Sequence, residues 1–92
     1  MANIQSAKKR IRQNKKRAER NRVYRSSART YIKKARKYID AGQLEEAQEQ
    51  ANQAYVVLDK AARKRIIHPR NAARRKGRLM AALAAAQKQA NQ

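Results

Sequence analysis

Apolar residues recur at helical spacing along the first 41 positions, but they form a continuous stripe only in the second half of that stretch. One heptad register holds Ile4, Ile11, Ala18, Arg25, Ile32 and Ile39, and its companion holds Ala7, Asn14, Asn21, Ala28 and Ala35. Between residues 12 and 27, polar side chains occupy positions that a core needs. The pattern predicts one long helix, about residues 3–41, of which only the C-terminal half packs in a bundle. Gly42 suits the left-handed cap that ends it.

Two shorter helices follow. The second, about residues 43–64, has apolar positions at alternating spacings of three and four: Leu44, Ala47, Ala51, Ala54, Leu58 and Ala61. Pro69 fits the first turn of the third. Its stripe is Ala72, Lys76, Leu79, Leu83, Ala86 and Ala90, flanked by Ala73, Met80 and Ala84. With two Gly, one Pro and no Phe or Trp, the sequence predicts an all-α, up-down-up bundle of three helices with a thin core.

The predicted helices differ in length. At ~1.5 Å per residue the first spans roughly 58 Å and the other two roughly 33 Å each, so about 25 Å of the first has no partner within the chain. We therefore expect a single domain over residues 1–92. Within it, residues 1–22 form a helical arm and residues 23–90 form the bundle.

Charge divides the chain in a related way. It has 25 Lys and Arg against six acids, a net charge of +19. Residues 1–22 and 63–78 each carry +8, while residues 43–62 carry −3. Self-repulsion on this scale destabilises a compact state, so two basic blocks around an acidic middle indicate a nucleic-acid partner. The up-down-up topology brings the second block beside residues 15–29. It leaves residues 33–37 next to the acidic start of helix 2, an end that we expect to be internally neutralised.

The third helix opens with cations, which oppose its dipole. A phosphate bound by free N–H groups at the helix start would resolve that conflict, and Asn71 would add a sugar or base-edge hydrogen bond. Gly77 costs about 1 kcal/mol in a helix interior relative to Ala. Three explanations stay open for it: close approach of RNA, close approach of another helix, or neutral drift.

Tyr24, Tyr31 and Tyr38 recur every seven residues, and Tyr55 lies on the second helix. We expect Tyr31, Tyr38 and Tyr55 to pack at the edge of the core, which leaves Tyr24 as the best candidate for stacking on an unpaired base. The single histidine, His68, has no Cys partner. We interpret it as a capping or phosphate-contact residue and not as a metal ligand.

Several function classes receive no support. The chain has no Cys, and it shows no nucleophile–base pair, glycine-rich phosphate loop or cluster of metal ligands. We therefore expect no catalytic residue, no metal site, no cofactor and no enzymatic activity. The cations of the arm surround the helix on nearly every side, unlike those of a membrane-surface helix, which face away from an apolar stripe. Two rivals to RNA binding remain: a nucleoid-type DNA-binding architectural protein and a membrane-active cationic helix.

Two motifs bear a family resemblance. The segment Ala2-Asn3-Ile4-Gln5-Ser6-Ala7-Lys8-Lys9-Arg10-Ile11-Arg12 resembles the opening of the bacterial small-subunit ribosomal protein S20 family. The segment from Ile67 to Leu79, with His68-Pro69-Arg70-Asn71-Ala72-Ala73-Arg74, resembles its second signature. The chain departs from the family at Pro69, where a polar or basic residue is more usual, and at Gly77, where Ser is usual.

This resemblance implies a cytoplasmic protein of the ribosome, monomeric within the small subunit. Its implied partner is 16S ribosomal RNA, contacted in the 5′ domain and at the penultimate helix of the 3′ minor domain. The residues that the resemblance assigns to RNA are Lys8, Lys9, Arg10, Arg12, Lys15, Lys16, Arg17, Arg20, Arg22, His68, Arg70, Asn71, Arg74, Arg75, Lys76 and Arg78. The topological argument adds Arg25 and Arg29.

Overall fold

The computed structural model describes residues 2–91 of the chain, with side chains for residues 4–91. It contains the helices α1 (Ala2–Asp40), α2 (Leu44–Arg63) and α3 (Pro69–Ala90), and the described residues form no strand. The predicted all-α class and the three helices are confirmed, with bounds close to the predicted ones. Met1, in the predicted arm, and Gln92, at the end of the predicted domain, lie outside the described residues.

The turns after α1 and after α2 are closed by the same backbone hydrogen-bonding motif. After α1, Gly42 adopts a φ of 77°. Its N–H donates to the carbonyl of Ile39 at 3.1 Å, and the N–H of Gln43 donates to that of Tyr38 at 2.9 Å. These two bonds form a Schellman motif, which satisfies carbonyls that the helix end would leave without a partner. The cap predicted at Gly42 is therefore confirmed.

The core is a seam of alanines with a few leucines. Leu58 and Leu79 are its largest fully buried side chains. Around them lie the buried alanines of the three predicted stripes, Ala28, Ala35, Ala47, Ala51, Ala54, Ala61 and Ala72. The residues that flank the stripe on α3 are Ala73, Met80 and Ala84. All three are exposed, and 46 % of the Met80 surface is accessible to solvent. Ile66, in the connector between α2 and α3, is buried instead.

The helices pack unequally. The middle helix, α2, packs extensively on α1 and also on α3, whereas α1 and α3 contact each other least. The partly buried side chains of Tyr31, Tyr38 and Tyr55 pack against the larger core cluster. This confirms their predicted place at the edge of the core. The limited contact between α1 and α3 leaves a groove along one side of the bundle.

The N-terminal half of α1 stands clear of the bundle. Every described side chain from residue 4 to residue 20 is exposed, including Ile4 at 58 % and Ile11 at 67 %. The molecule is 72 Å long but only 21 Å and 13 Å in its other dimensions. The unpaired stretch is about 25 Å of helix, the length that the difference between the predicted helices implied.

Gly77 provides a test of the bundle's local stability. It is exposed within α3, and no neighbouring heavy atom lies within 4 Å of the position that a Cβ would take. Close packing of another helix of this chain is therefore excluded as its explanation. We expect Gly77→Ala to raise the free energy of unfolding by about 1 kcal/mol, and the melting temperature by about 4–8 °C.

Gly42→Ala is the matched control for that substitution. Its surroundings are equally open, but its φ of 77° is one that side chains with a Cβ rarely adopt. We expect it to lower the free energy of unfolding by about 1 kcal/mol. Thermal melting monitored by circular dichroism measures both changes. A lower melting temperature for Gly77→Ala would contradict the reading of Gly77 as an unstrained, exposed helix position.

Candidate nucleic-acid interface

A channel lined by cations runs along α1; two of its concavities lie in the groove between α1 and α3, and the third, toward the arm, is lined by α1 alone. It consists of three neighbouring concavities of about 440, 400 and 360 Å³, all of which include Arg29. Along α1 it extends from Ala18 to Arg36, about 27 Å. We call it the arginine channel, and its cationic and amide side chains are Asn21, Arg22, Arg25, Arg29, Lys33, Arg36, Asn71, Arg75 and Arg78.

Helical spacing explains why these side chains share one surface. On α1, Arg22, Arg25 and Arg29 are separated by three and four residues, and the same spacing continues through Lys33 and Arg36. On α3, Asn71, Arg75 and Arg78 also follow it. Residues three and four apart lie on one face of a helix. Two cationic faces therefore oppose each other across the groove, where Ile32 contributes an apolar surface.

Arg25 connects the two walls of the channel. Its Nη2 donates a hydrogen bond of 3.1 Å to the carbonyl of Ile66 in the connector before α3. This bond explains why Arg25 interrupts the apolar heptad pattern of α1. Its guanidinium donates to a backbone carbonyl and does not pack in the apolar core. The bond holds the connector, and with it the start of α3, against α1.

His68 caps α3. Its backbone is extended, and its Nδ1 accepts a hydrogen bond of 3.1 Å from the N–H of Arg70. The predicted capping role is confirmed. Because Nδ1 acts as the acceptor, the ring proton of the neutral imidazole lies on Nε2. His68 also lines the channel, so it offers an N–H donor there.

The backbone N–H groups of the first turn of α3, residues 69–72, are not free to bind an anion. Pro69 has none, that of Arg70 donates to His68, and those of Asn71 and Ala72 donate to the His68 carbonyl at 2.9 and 3.1 Å. Free backbone N–H groups are therefore not found at residues 70–72, and the binding of a phosphate at this helix start stays a prediction. The side-chain cations, the His68 ring and the backbone N–H of His68, which donates no hydrogen bond among the described residues, are the donors that remain for an anion here.

Lys76 has a partner within the chain. Its Nζ lies 2.9 Å from Oδ1 and 3.2 Å from Oδ2 of Asp59. Burial raises the pKa of the nearby Tyr55 hydroxyl, and the charge of Lys76 lowers it in part. The net shift is upward from 10.0, so any stability that this hydroxyl contributes is complete below pH 10 and is lost as the pH rises through the folded value. Because of its ion pair with Asp59, Lys76 is less available to an outside anion than the neighbouring cations.

The remaining predicted RNA-contact residues fall into two groups. The cations of residues 8–20 are exposed on the arm. Arg70 and Arg74 are exposed on α3, and neither lines the channel. Tyr24 is half-buried at the level where the arm joins the bundle, and its stacking role stays a prediction.

Two channel residues, Lys33 and Arg36, were not among the predicted contacts, because the acidic start of α2 was expected to neutralise their end of the bundle. That start does lie at this end, since Ala47 of α2 and Ala35 of α1 belong to one buried cluster. Within residues 4–91, however, the structure forms an ion pair only between Lys76 and Asp59. Neutralisation through ion pairs is therefore not found there. The sequence signal that could have placed Lys33 and Arg36 in the channel is their helical spacing from Arg29.

Among residues 4–91, no group of three or more His, Cys, Asp or Glu side chains is arranged to hold a metal ion. In the part of the chain that the structure describes, none of the helices is long and apolar enough to cross a membrane.

Comparison with known proteins identifies relatives over most of the chain. Residues 2–84 match the family model described as Ribosomal protein S20. The chain is 51 % identical over 85 residues to the small ribosomal subunit protein bS20 of Legionella pneumophila (strain Corby), covering 92 % of this chain and 97 % of that protein. It is 47 % identical over 81 residues to the protein of the same name from Methylococcus capsulatus, covering 88 % of each. A match to the protein of that name from Dehalococcoides mccartyi (strain ATCC BAA-2266 / KCTC 15142 / 195) is 63 % identical but spans 41 residues, about half of either chain (45 % and 47 %).

Proposed function

We infer that this chain, which belongs to the ribosomal protein S20 family, binds 16S ribosomal RNA directly and holds RNA helices together in the small ribosomal subunit. Family membership supports the role of a structural constituent of the ribosome, in a family that is not enzymatic. The observation that carries the proposal of direct RNA binding is the exposed cationic arm continuing into a cationic channel.

The arm suits a site where several phosphate backbones converge. Its side chains are exposed on every side of the helix, so no contact within residues 4–91 occupies them. Lys and Arg that neutralise phosphates release the counterions condensed on nucleic acid, which favours binding. A helix that is cationic all round can approach two or more RNA segments at once and offset their mutual repulsion. We propose that packing neighbouring RNA helices together is the arm's contribution.

The arginine channel suits one strand of RNA backbone. It is long and lined by guanidinium groups, which match the geometry of phosphate oxygens. The amide oxygens of Asn21 and Asn71 on its walls are enclosed and have no hydrogen-bond partner among the described residues. Reorientation of these amides toward bound RNA would allow 2′-hydroxyl groups to supply the missing donors. The proposed recognition is mostly of backbone and shape, because A-form helices expose little sequence to side chains.

The proposed partners are the 5′ domain of 16S ribosomal RNA and the penultimate helix of its 3′ minor domain, with one copy of the chain in each cytoplasmic small subunit. Footprinting on 16S ribosomal RNA tests both regions together. Protection in neither region would contradict the proposed location. A competition between folded 16S ribosomal RNA and duplex DNA of equal length tests the class of nucleic acid. Equal competition would favour the architectural DNA-binding alternative.

The channel is tested by neutralising one arginine on each of its walls. We expect Arg29→Gln with Arg75→Gln to raise the Kd for the 5′ domain about 30-fold, taking ~1 kcal/mol for each screened contact. The slope of log K against log salt should fall by about 1.5. The control is Lys34→Gln with Lys88→Gln, which removes equal charge from exposed positions that do not line the channel. Equal effects of the two pairs would contradict a role for the channel.

A further inference from the structure

Arg65 occupies a backbone conformation that normally selects glycine. Its φ is 61°, in the left-handed region where a Cβ crowds the following carbonyl. The N–H of Arg65 donates to the carbonyl of Ala62 at 3.0 Å, and that of Ile66 donates to Ala61 at 2.8 Å. This is the same Schellman motif that ends α1, where the corresponding position is Gly42. Among the described residues these are the two positions with a positive φ.

The conformation of Arg65 is imposed by its neighbours. The next residue, Ile66, is 6 % exposed and anchors the connector in the bundle. The carbonyl of Ile66 accepts the hydrogen bond from Arg25 on α1. Because the chain is fixed on both sides of it, we expect the left-handed turn to persist whichever residue occupies position 65. An arginine at this position is therefore not explained by the backbone.

The surroundings of the two turns differ in charge. Gly42 lies in a concavity lined by no Lys or Arg. Arg65 lines a concavity of about 460 Å³ together with Arg63 and His68. This concavity shares Ile66, Ile67 and His68 with the arginine channel, so the two are adjacent. Arg65 itself is exposed, and its side chain makes no hydrogen bond or ion pair with the residues that the structure describes.

We infer that Arg65 binds a backbone phosphate of the RNA beside the arginine channel, at the expense of the stability of the free protein. The inference rests on the proposed function and adds a contact to it. A guanidinium that is exposed, free of partners within the described chain and next to other cations is available to an anion. Glycine would remove the steric strain of the turn. The interaction that favours arginine at position 65 must therefore be made with a partner that the free protein lacks.

The experiment compares Arg65→Gly with Arg65→Gln in the full chain. Arg65→Gly should raise the melting temperature of the free protein by about 4–8 °C, since it removes the steric conflict. Its Kd for the 5′ domain of 16S ribosomal RNA should rise about fivefold, and the salt slope should fall by about 0.7–0.9. Arg65→Gln keeps the strained backbone, so it should weaken RNA binding equally without raising the melting temperature.

Gly42→Arg is the matched control, because it adds an arginine to the same motif at the opposite end of the bundle. It should lower the melting temperature while leaving the Kd within twofold of the original. If Arg65→Gly raises the melting temperature but leaves the Kd and the salt slope unchanged, the inference is overturned. The proposed function survives that result if Arg29→Gln with Arg75→Gln still weakens binding. It fails with the inference if neither change affects binding.

Discussion

Neutralising the four lysines of the arm is expected to weaken RNA binding by roughly 10³-fold, taking ~1 kcal/mol for each phosphate contact. The changes are Lys8→Gln, Lys9→Gln, Lys15→Gln and Lys16→Gln. All four side chains are exposed and lie outside the bundle. Glutamine has nearly the helix propensity of lysine, so the helix should persist. The slope of log K against log salt should fall by about 3, since each contact contributes ~0.7–0.9.

A matched control removes the same charge elsewhere. Lys34, Lys37, Lys60 and Lys88 are also exposed lysines, and none lines the arginine channel. Replacing these four by glutamine lowers the net charge equally but should change the Kd by less than a tenth as much. If both quadruple variants weakened binding alike, net charge would explain the affinity, and the arm would have no particular role. Titrations of Kd against salt at constant pH distinguish the two results.

Leu58→Ala is expected to have the largest effect on the stability of the free protein, a loss of about 2–5 kcal/mol. Leu58 is fully buried between Ala28 of α1 and Ala72 of α3. Its buried neighbours Ala28 and Ala72 are too short to fill the space that Leu58 vacates. A chain of this size has about 5–14 kcal/mol of stability in total, and a net charge of +19 reduces it further. The melting temperature should fall by more than about 10 °C.

Val56→Ala is the control, because Val56 lies on the same helix but is 49 % exposed. It should change the free energy of unfolding by no more than about 0.5 kcal/mol. Saturating RNA should restore the helical circular-dichroism signal of Leu58→Ala, because a ligand that binds only the folded state stabilises it by mass action. A melting temperature within a few degrees of the original would contradict the description of Leu58 as the centre of the smaller core cluster.

The helices themselves could be predicted from local pattern. Ala47, Ala51, Ala54, Leu58 and Ala61 repeat at helical spacing and are all buried on α2. Gly42 marks the end of α1 because the left-handed cap requires a residue without a Cβ. The exposed arm followed from the difference in helix length alone. Each of these features depends on residues close in sequence or on the fixed rise of the helix.

The channel could be predicted only in part. Arg25, Arg29 and Arg75 were expected beside one another, but Lys33 and Arg36 were assigned to a neutralised end. Deciding which cations of α1 face α3 requires the rotation of the two helices about their axes. Packing of alanines and leucines from all three helices determines that rotation. The hydrogen bonds that satisfy the start of α3 likewise depend on the position of the His68 ring.

By itself, the sequence determined the helical periods, the cap at Gly42, the length of the arm and the two basic blocks. All of these depend on residue type and on spacing along one helix. The tertiary structure decided which cations share a surface, because a channel requires two helices at a particular distance and rotation. It also decided that Arg65 takes a left-handed backbone. The burial of Ile66 and the hydrogen bond that its carbonyl accepts from Arg25 impose that turn, and these two bonded residues lie 41 positions apart in the sequence.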